Sequence, residues 1–229
     1  MSQHFQYFQS LATAYRNCLE TLSPYWSDRH SLKTGLQRHR DEAIAILNTF
    51  QRPVLQEVSS RQGIGLNTVG LLTDRLTILT IKEWQLQYYH KNQIATQKLY
   101  DVEILDILEA LANAAPAKGA LNSKLTSHVS SPTAHTWTAA AYDLFATNIL
   151  IWKAQDFLYN KSDDSEHELR NELGNDLERS LDLLHTYTIW LPKMNLRRDA
   201  LIQRCEQLYW QSTLSSLDQG YTSDERERK

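Results

Sequence analysis

Charged side chains interrupt the otherwise apolar segment LLTDRLTILTIK, residues 71–82. Arg75 and Lys82 are seven residues apart, which places them on one face of a helix, two turns from each other. Together with Asp74 they would lie inside a helix whose other surfaces are apolar. Removing one member of a buried ion pair costs about 3–5 kcal/mol, so such groups must meet opposite charges, water or a ligand. The segment predicts either an internal ion-pair network or a ligand site.

The segment NILIWKAQD, residues 148–156, places an amide, an indole and a carboxylate on one helix face. Asn148, Trp152 and Asp156 are spaced by four residues, and Gln155 follows Asn148 by seven. This stripe could line a polar groove. Buried indoles and amides usually find hydrogen-bond partners, so an ordinary helix interface is the alternative.

The segment LPKMNLRRDALIQRC, residues 191–205, carries a third polar set at helical spacing. Asn195, Arg198 and Asp199 share one face. A guanidinium can hold a carboxylate or a phosphate through two parallel N–H bonds, so Arg198 is a candidate anion-binding residue. The alternative is that Arg198 pairs with Asp156 or Asp74 and locks three helices together.

Signals for other chemistry are weaker. Asp182 and His185 have a chelating spacing, but the paired Glu-x-x-His motifs of a di-metal bundle are missing, so no metal is predicted. The turn RQGIG, residues 61–65, precedes a helix and could present backbone N–H groups to an anion, although a plain turn explains it as well. The motifs of the common hydrolases, NTPases and dithiol redox proteins are missing too, and no cofactor is predicted.

Taken in order, the three segments resemble a bacterial family of all-helical proteins of unknown function, often encoded beside glycosyltransferases for lipopolysaccharide or other surface polysaccharide. The resemblance spans roughly residues 65–210. Gln155 departs from it, since an acidic residue is expected there. The resemblance implies an all-helical fold and a surface-polysaccharide context but no reaction. The matching positions are Asp74, Arg75, Leu76, Thr77, Ile78, Leu79, Lys82, Asn148, Trp152, Asp156, Asn195, Arg198 and Asp199.

Composition favours a single helical domain. Only 7 Gly and 5 Pro occur in 229 residues, which indicates few turns and long elements. The formal net charge of −3 disfavours nucleic-acid binding. The two cysteines, Cys18 and Cys205, suggest no disulfide framework, and we find no secretory signal and no apolar run long enough to cross a bilayer. A cytoplasmic protein is expected.

Apolar periodicity predicts an all-α, antiparallel bundle of about six or seven helices, built around a central buried helix at residues 67–92. We expect one domain over residues 1–222, followed by a charged disordered tail at 223–229. On the next helix Val102, Leu105, Leu108 and Leu111 are expected to lie on one side. The first predicted helix ends near Ser23-Pro24. The others cover residues 32–50 (capped by Ser31), 67–92, 97–114, 136–160, 169–184 and 193–216. The predicted core includes Leu72, Leu76, Leu79, Leu144, Phe145, Trp152, Leu181, Leu184, Leu201 and Ile202.

Three functions fit these patterns. The first is an accessory or ligand-binding protein of a surface-polysaccharide pathway, in which the polar residues of the three segments form one pocket for an anionic sugar or sugar phosphate. In that pocket Trp152 and Trp84 would cover the sugar. The second is an enzyme of sugar or sugar-nucleotide chemistry that uses Asp74 or Asp156 as a general base. The third is a structural, partner-binding bundle.

Apolar rows on the first and last helices could also serve a homodimer. A solvent-open pocket would favour the first two functions, and a dry, fully paired network the third.

Overall fold

The helices of the chain follow its apolar spacing. The computed structural model describes residues 2–26, 29–50, 68–89, 93–116, 133–163 and 185–224, and within these ranges all regular structure is helical. This confirms the predicted all-α fold. The helices are α1 (Gln3–Leu22), α2 (Arg29–Arg38), α3 (Arg40–Thr49), α4 (Val69–Tyr89), α5 (Ile94–Ala112), α6 (Trp137–Asp163) and α7 (Leu191–Asp224). A 3-10 turn, Ser23–Tyr25, follows α1, and a π-helical turn, Thr186–Trp190, leads into α7.

The central element of the bundle is α4, which packs against α1, α5, α6 and α7. Its buried side chains point in most directions around the helix axis, as the sequence predicts, and Leu76 is completely buried. Polar contacts between Gly70 and Glu206, and between Asp74 and Arg198, show that α4 and α7 run antiparallel. Among the predicted core residues, Leu72, Leu79, Leu144, Phe145, Leu201 and Ile202 are buried as well.

Aromatic residues join α1 to α6. The ring of Tyr15 stacks on Phe145 with centroids 4.6 Å apart, and its hydroxyl donates to the carbonyl of Ala141 at 3.3 Å. The indole N–H of Trp137 donates to the hydroxyl of Tyr7 at 2.6 Å. Each of these buried polar groups thus has a partner, which is what burial requires.

The predicted helix 32–50 is two helices, broken at His39, and Ser31 lies inside α2 rather than capping it. In a continuous helix the carbonyl of Leu36 would accept from the N–H of Arg40. Here the hydroxyl of Tyr142 donates to that carbonyl at 2.8 Å. We attribute the break to this competition, which the sequence does not signal because Tyr142 is more than 100 residues away.

Three further predictions differ from the structure. Val102 and Leu105 were expected to share one side of α5 with Leu108 and Leu111. Leu108 and Leu111 are buried, but Val102 and Leu105 are exposed, and Ile104 completes the buried row. The last helix begins at Leu191 and continues to Asp224, so it includes the first two residues of the predicted tail. Trp152 is half-buried rather than a full core residue. The predicted helix 169–184, with Leu181 and Leu184, and residues 225–229 of the tail lie outside the described residues.

No helix in the described part of the chain is both long enough and apolar enough to span a bilayer, as expected from the sequence.

Candidate functional site

Three of the predicted site residues meet inside the bundle. Asp74 on α4 is only 5% exposed. Arg198 on α7 donates from Nε to its Oδ1 at 2.8 Å and from Nη2 to its Oδ2 at 2.5 Å. Asn148 on α6 donates from Nδ2 to Oδ1 of Asp74 at 2.9 Å and contacts the hydroxyl of Thr77 at 2.6 Å. The carboxylate thus connects three helices, and we call Asp74, Asn148 and Arg198 the carboxylate lock.

The electrostatics of the carboxylate lock favour a fixed ion pair. The hydrogen bond to Asp74 raises the pKa of Arg198, although burial opposes this. The guanidinium therefore stays charged. Both oxygens of the carboxylate already accept N–H donors, and the hydroxyl of Thr77 donates to the carbonyl of Asp74 at 2.7 Å. A fully paired, buried network of this kind fixes helix register, which was one of the two interpretations open from the sequence.

Arg75, Lys82 and Asn195 make no hydrogen bond or ion pair with the carboxylate lock in the described part of the structure, whereas, besides Asp74, the charge of Asp199 also raises the pKa of Arg198. Arg75 and Asn195 are exposed, and Lys82 and Asp199 are half-buried. Arg75 and Lys82 do share one face of α4, as predicted, but that narrow stripe faces outward. Physically, Asp74 and Arg75 diverge because consecutive side chains on a helix point about 100° apart.

The aromatic part of the predicted pocket is also different. Trp84 is buried and lies between Trp26 and Tyr88, with ring centroids 4.9 and 5.0 Å away, so it cannot cover a sugar in this conformation. The indole nitrogen of Trp152 is buried and makes no hydrogen bond with the described residues. The side chain of Asp156 lies outside the described part of the structure.

A second buried carboxylate, which the sequence reading missed, joins α4 to α7. Glu206 accepts the backbone N–H of Gly70 at 2.9 Å and the indole N–H of Trp210 at 2.8 Å. Gly70 is in the first turn of α4, where N–H groups lack partners within the helix and attract anions. The turn RQGIG, residues 61–65, for which the sequence left an anion site open, lies outside the described residues.

A third buried carboxylate joins α1, α4 and α5. Arg16 donates to Glu83 from Nε at 2.7 Å and from Nη2 at 3.1 Å. Burial raises the pKa of Glu83 above its ordinary value of 4.5, and a hydrogen bond and negative charge from Asp101 raise it further, whereas Arg16 lowers it. A raised pKa means that the folded state holds the proton more tightly than the unfolded state. Stability from this group is therefore present below pH 4.5 and is lost as the pH rises through the folded pKa.

We expect Asp101→Asn to lower the pKa of Glu83, because the substitution removes the nearby negative charge. NMR titration of the Glu83 carboxyl carbon measures this directly. In urea titrations the variant should gain stability relative to the original chain as the pH rises past the ordinary glutamate value. Asp106→Asn, on the exposed face of the same helix, is the matched control and should leave Glu83 unchanged. An unaltered titration of Glu83 in Asp101→Asn would contradict the assignment.

Away from these networks, a cleft of about 890 Å³ opens between α2, α3, α6 and the start of α7. One stripe of α6 forms its floor, from Ala139 through Tyr142 to Leu150. Trp190 of the π-helical turn and Arg197 of α7 form part of its wall. None of the carboxylate-lock residues lines this cleft.

Some charged side chains of the cleft form ion pairs, and others do not. Arg40 donates from Nε to Oδ1 of Asp143 at 2.9 Å and from Nη2 to Oδ2 at 3.2 Å. This pairing raises the pKa of Arg40. Lys33 and Arg197 also line the cleft, and neither makes a hydrogen bond or an ion pair with the residues described here. The lining thus combines the cations Lys33, Arg40 and Arg197 with the carboxylates of Asp41 and Asp143, both of which pair with Arg40.

Metal binding has no support in the described ranges, where no group of three or more His, Cys, Asp or Glu side chains could hold an ion.

In comparisons with known proteins, no family model, curated protein or solved structure matches this chain. The family resemblance of the three segments therefore stays a prediction from the sequence.

Proposed function

We propose that this chain is a non-catalytic ligand-binding protein that holds a small organic anion, such as a phosphorylated sugar, in the cleft floored by α6. The proposal rests on which charged side chains of the cleft have ion-pair partners and which do not. Lys33 and Arg197 line a large opening without ion-pair partners among the described residues, while Arg40 is oriented there by Asp143.

The size and lining of the cleft suit a small metabolite. Ligand pockets typically occupy about 300–1,000 Å³, and the 890 Å³ cleft lies near the upper end of that range. Leu36, Ile44, Ala139 and Leu150 give it apolar surface, while Thr136 and Thr147 contribute hydroxyls. A ligand with a charged group and a larger, partly apolar or hydroxylated body would use both kinds of surface.

Arg40 is preorganised to recognise an anion. Its Nε and Nη2 atoms are held by Asp143, and its Nη1 forms a longer ion pair with the exposed Asp41 at 3.7 Å, so an anion that binds Nη1 competes with that carboxylate. The guanidinium side chain is 37% exposed, so the N–H donors of Nη1 are within reach of the cleft. A donor that is already oriented loses less conformational entropy when a ligand binds, which increases affinity.

The carboxylate lock is better suited to holding helices than to binding a ligand or removing a proton. A general base needs a carboxylate oxygen within reach of the reacting group, whereas both oxygens of Asp74 are engaged by Arg198 and Asn148. We therefore propose the cleft, rather than the carboxylate lock, as the site of the anionic sugar ligand expected from the sequence. The surface-polysaccharide context rests on the sequence resemblance and is part of the proposal.

Isothermal titration calorimetry with glucose 1-phosphate, UDP-glucose, inorganic phosphate and glucose tests the proposal. We expect a phosphorylated compound to bind and glucose alone to bind at least about tenfold more weakly, since a hydrogen bond to a charged group contributes about 1.5–3 kcal/mol. Saturation at about 100 times the dissociation constant should also add roughly 2.7 kcal/mol to stability, seen as a higher melting temperature.

Alanine variants of the cleft residues test where the ligand binds. Arg197→Ala and Lys33→Ala should each weaken binding about tenfold or more. Arg75→Ala is the matched control, because it removes an exposed arginine that lies outside the cleft. No binding by any phosphorylated compound, or equal affinity in all three variants, would rule the cleft out as the site. Recovery of the bound compound unaltered supports a binding role, and its conversion would favour the enzyme alternative.

A further inference from the structure

An apolar patch covers the outer face of α5. Leu99, Val102 and Leu105 are 55%, 54% and 49% exposed. Lys98 and Asp106 flank the patch, and both side chains are exposed without a hydrogen bond or ion pair to any residue in the described ranges. Large apolar side chains grouped on one face of a surface helix typically mark an interaction surface. We call these five residues the α5 face.

The residues of the α5 face are arranged symmetrically about Val102, but their charges differ between the two ends of the helix. Val102 lies at its centre, and at 3.6 residues per turn Lys98 and Asp106 lie one turn before and after it, each rotated by roughly 40° to opposite sides. Leu99 and Leu105 lie three residues before and after Val102, rotated by roughly 60°. The N-terminal half of the face is therefore basic, and its C-terminal half, which also includes the exposed Glu109, is acidic.

We propose that the α5 face binds the α5 face of a second copy of this chain, with the two helices antiparallel about a two-fold axis near Val102. An antiparallel arrangement places Lys98 of each chain over the acidic end of the partner helix and brings the leucines together. A parallel arrangement would instead set like charges against each other, which is unfavourable. A symmetric interface of this kind uses the same surface on both chains and closes as a dimer.

This surface is different from the one that the sequence suggested for a homodimer, which was the apolar rows of α1 and α7. Those rows are buried in the bundle, since Phe8, Leu11, Tyr15, Leu201 and Leu208 are all core residues. The proposal also does not depend on the cleft, because no residue of α5 lines it.

Light scattering coupled to gel filtration of the full chain, at concentrations on the order of 100 μM, tests the interface. We expect a mass twice the 26.5 kDa of a single chain. Val102→Asp should return the mass to that of one chain, because it places two carboxylates near the two-fold axis. Ile46→Asp is the matched control, since Ile46 is a similarly exposed aliphatic residue on α3. It should leave the dimer intact.

A charge exchange tests the orientation and the partner together. Lys98→Glu alone should weaken the dimer at least about tenfold, since like charges then face each other across the interface. Combining it with Asp106→Lys and Glu109→Lys should restore the dimer, because the basic and acidic ends have been exchanged. All these side chains are on the surface, so the variants should fold. A single-chain mass for the original protein, or a dimer unaffected by Val102→Asp, would overturn the proposal.

Discussion

Replacing Arg198 with methionine is expected to lower the free energy of unfolding by about 3 kcal/mol. The substitution keeps most of the apolar volume of the side chain but removes the cation from Asp74, whose carboxylate is 5% exposed. Loss of one member of a buried pair costs about 3–5 kcal/mol, and the lower end applies here because the side chain of Arg198 is 28% exposed. Urea denaturation followed by circular dichroism measures the change.

The neighbouring arginine provides a close control. Arg197→Met removes the same charge from the same helix at an exposed position, so it should change stability by no more than about 0.5 kcal/mol. The double variant Asp74→Asn with Arg198→Met should recover at least half of the loss, because the amide oxygen of the new asparagine can still accept from Asn148. If Arg198→Met were as stable as Arg197→Met, the carboxylate lock would not hold the helices together.

The same variants separate stability from binding. Arg198→Met should still bind the ligand of the cleft at temperatures where it is folded, whereas Arg197→Met should lose affinity while remaining stable. If Arg198→Met lost affinity and Arg197→Met kept it, the ligand would bind at the carboxylate lock rather than in the cleft. The two variants thus test whether Arg198 contributes to stability and Arg197 to binding, from two different faces of α7.

The sequence offered a buried ion-pair network, with Arg198 paired to Asp156 or Asp74, as the alternative to a ligand site, because the reason for such a network is local. Asp74 and Asn148 occur in helical segments that are apolar around most of their circumference, so each had to meet a partner once buried. Arg198 was the long cation with the right spacing to reach them. Arg75 was expected to join the buried charges but is exposed. It lies on the single exposed stripe of a mostly buried helix, and such a stripe is too narrow to identify from hydrophobic periodicity.

The cleft could not be predicted in this way. Arg40 and Asp143 are 103 positions apart, and each looks like an ordinary surface charge on an amphipathic helix. A cleft depends on how α2, α3, α6 and α7 diverge from one another, and helix periodicity carries no information about that. The break at His39, which sets the directions of α2 and α3, results from a tertiary hydrogen bond from Tyr142.

Gly70→Ala is expected to destabilise the chain by about 3 kcal/mol, although alanine is the better helix former. A Cβ atom on Gly70 would lie 2.3 Å from the carbonyl oxygen of Ile202 and 3.2 Å from Cβ of Glu206. The first contact is with helix backbone, which cannot rotate away, so α4 and α7 would have to separate. Separation also lengthens the hydrogen bond from the N–H of Gly70 to Glu206, and bonds to charged groups contribute about 1.5–3 kcal/mol.

Gly35→Ala distinguishes this close approach from a general effect of replacing a helical glycine. A Cβ atom there would lie 2.8 Å from Cγ of Tyr25 and 3.2 Å from Cδ2 of Leu22, which are side-chain atoms rather than helix backbone. Tyr25 must shift to make room, and alanine gains up to about 1 kcal/mol of helix propensity over glycine, so we expect a smaller loss of stability here than at Gly70. Urea denaturation of both variants gives the comparison. A loss at Gly70 no larger than the loss at Gly35 would contradict the prediction that the backbone contact between α4 and α7 makes Gly70 the more sensitive position.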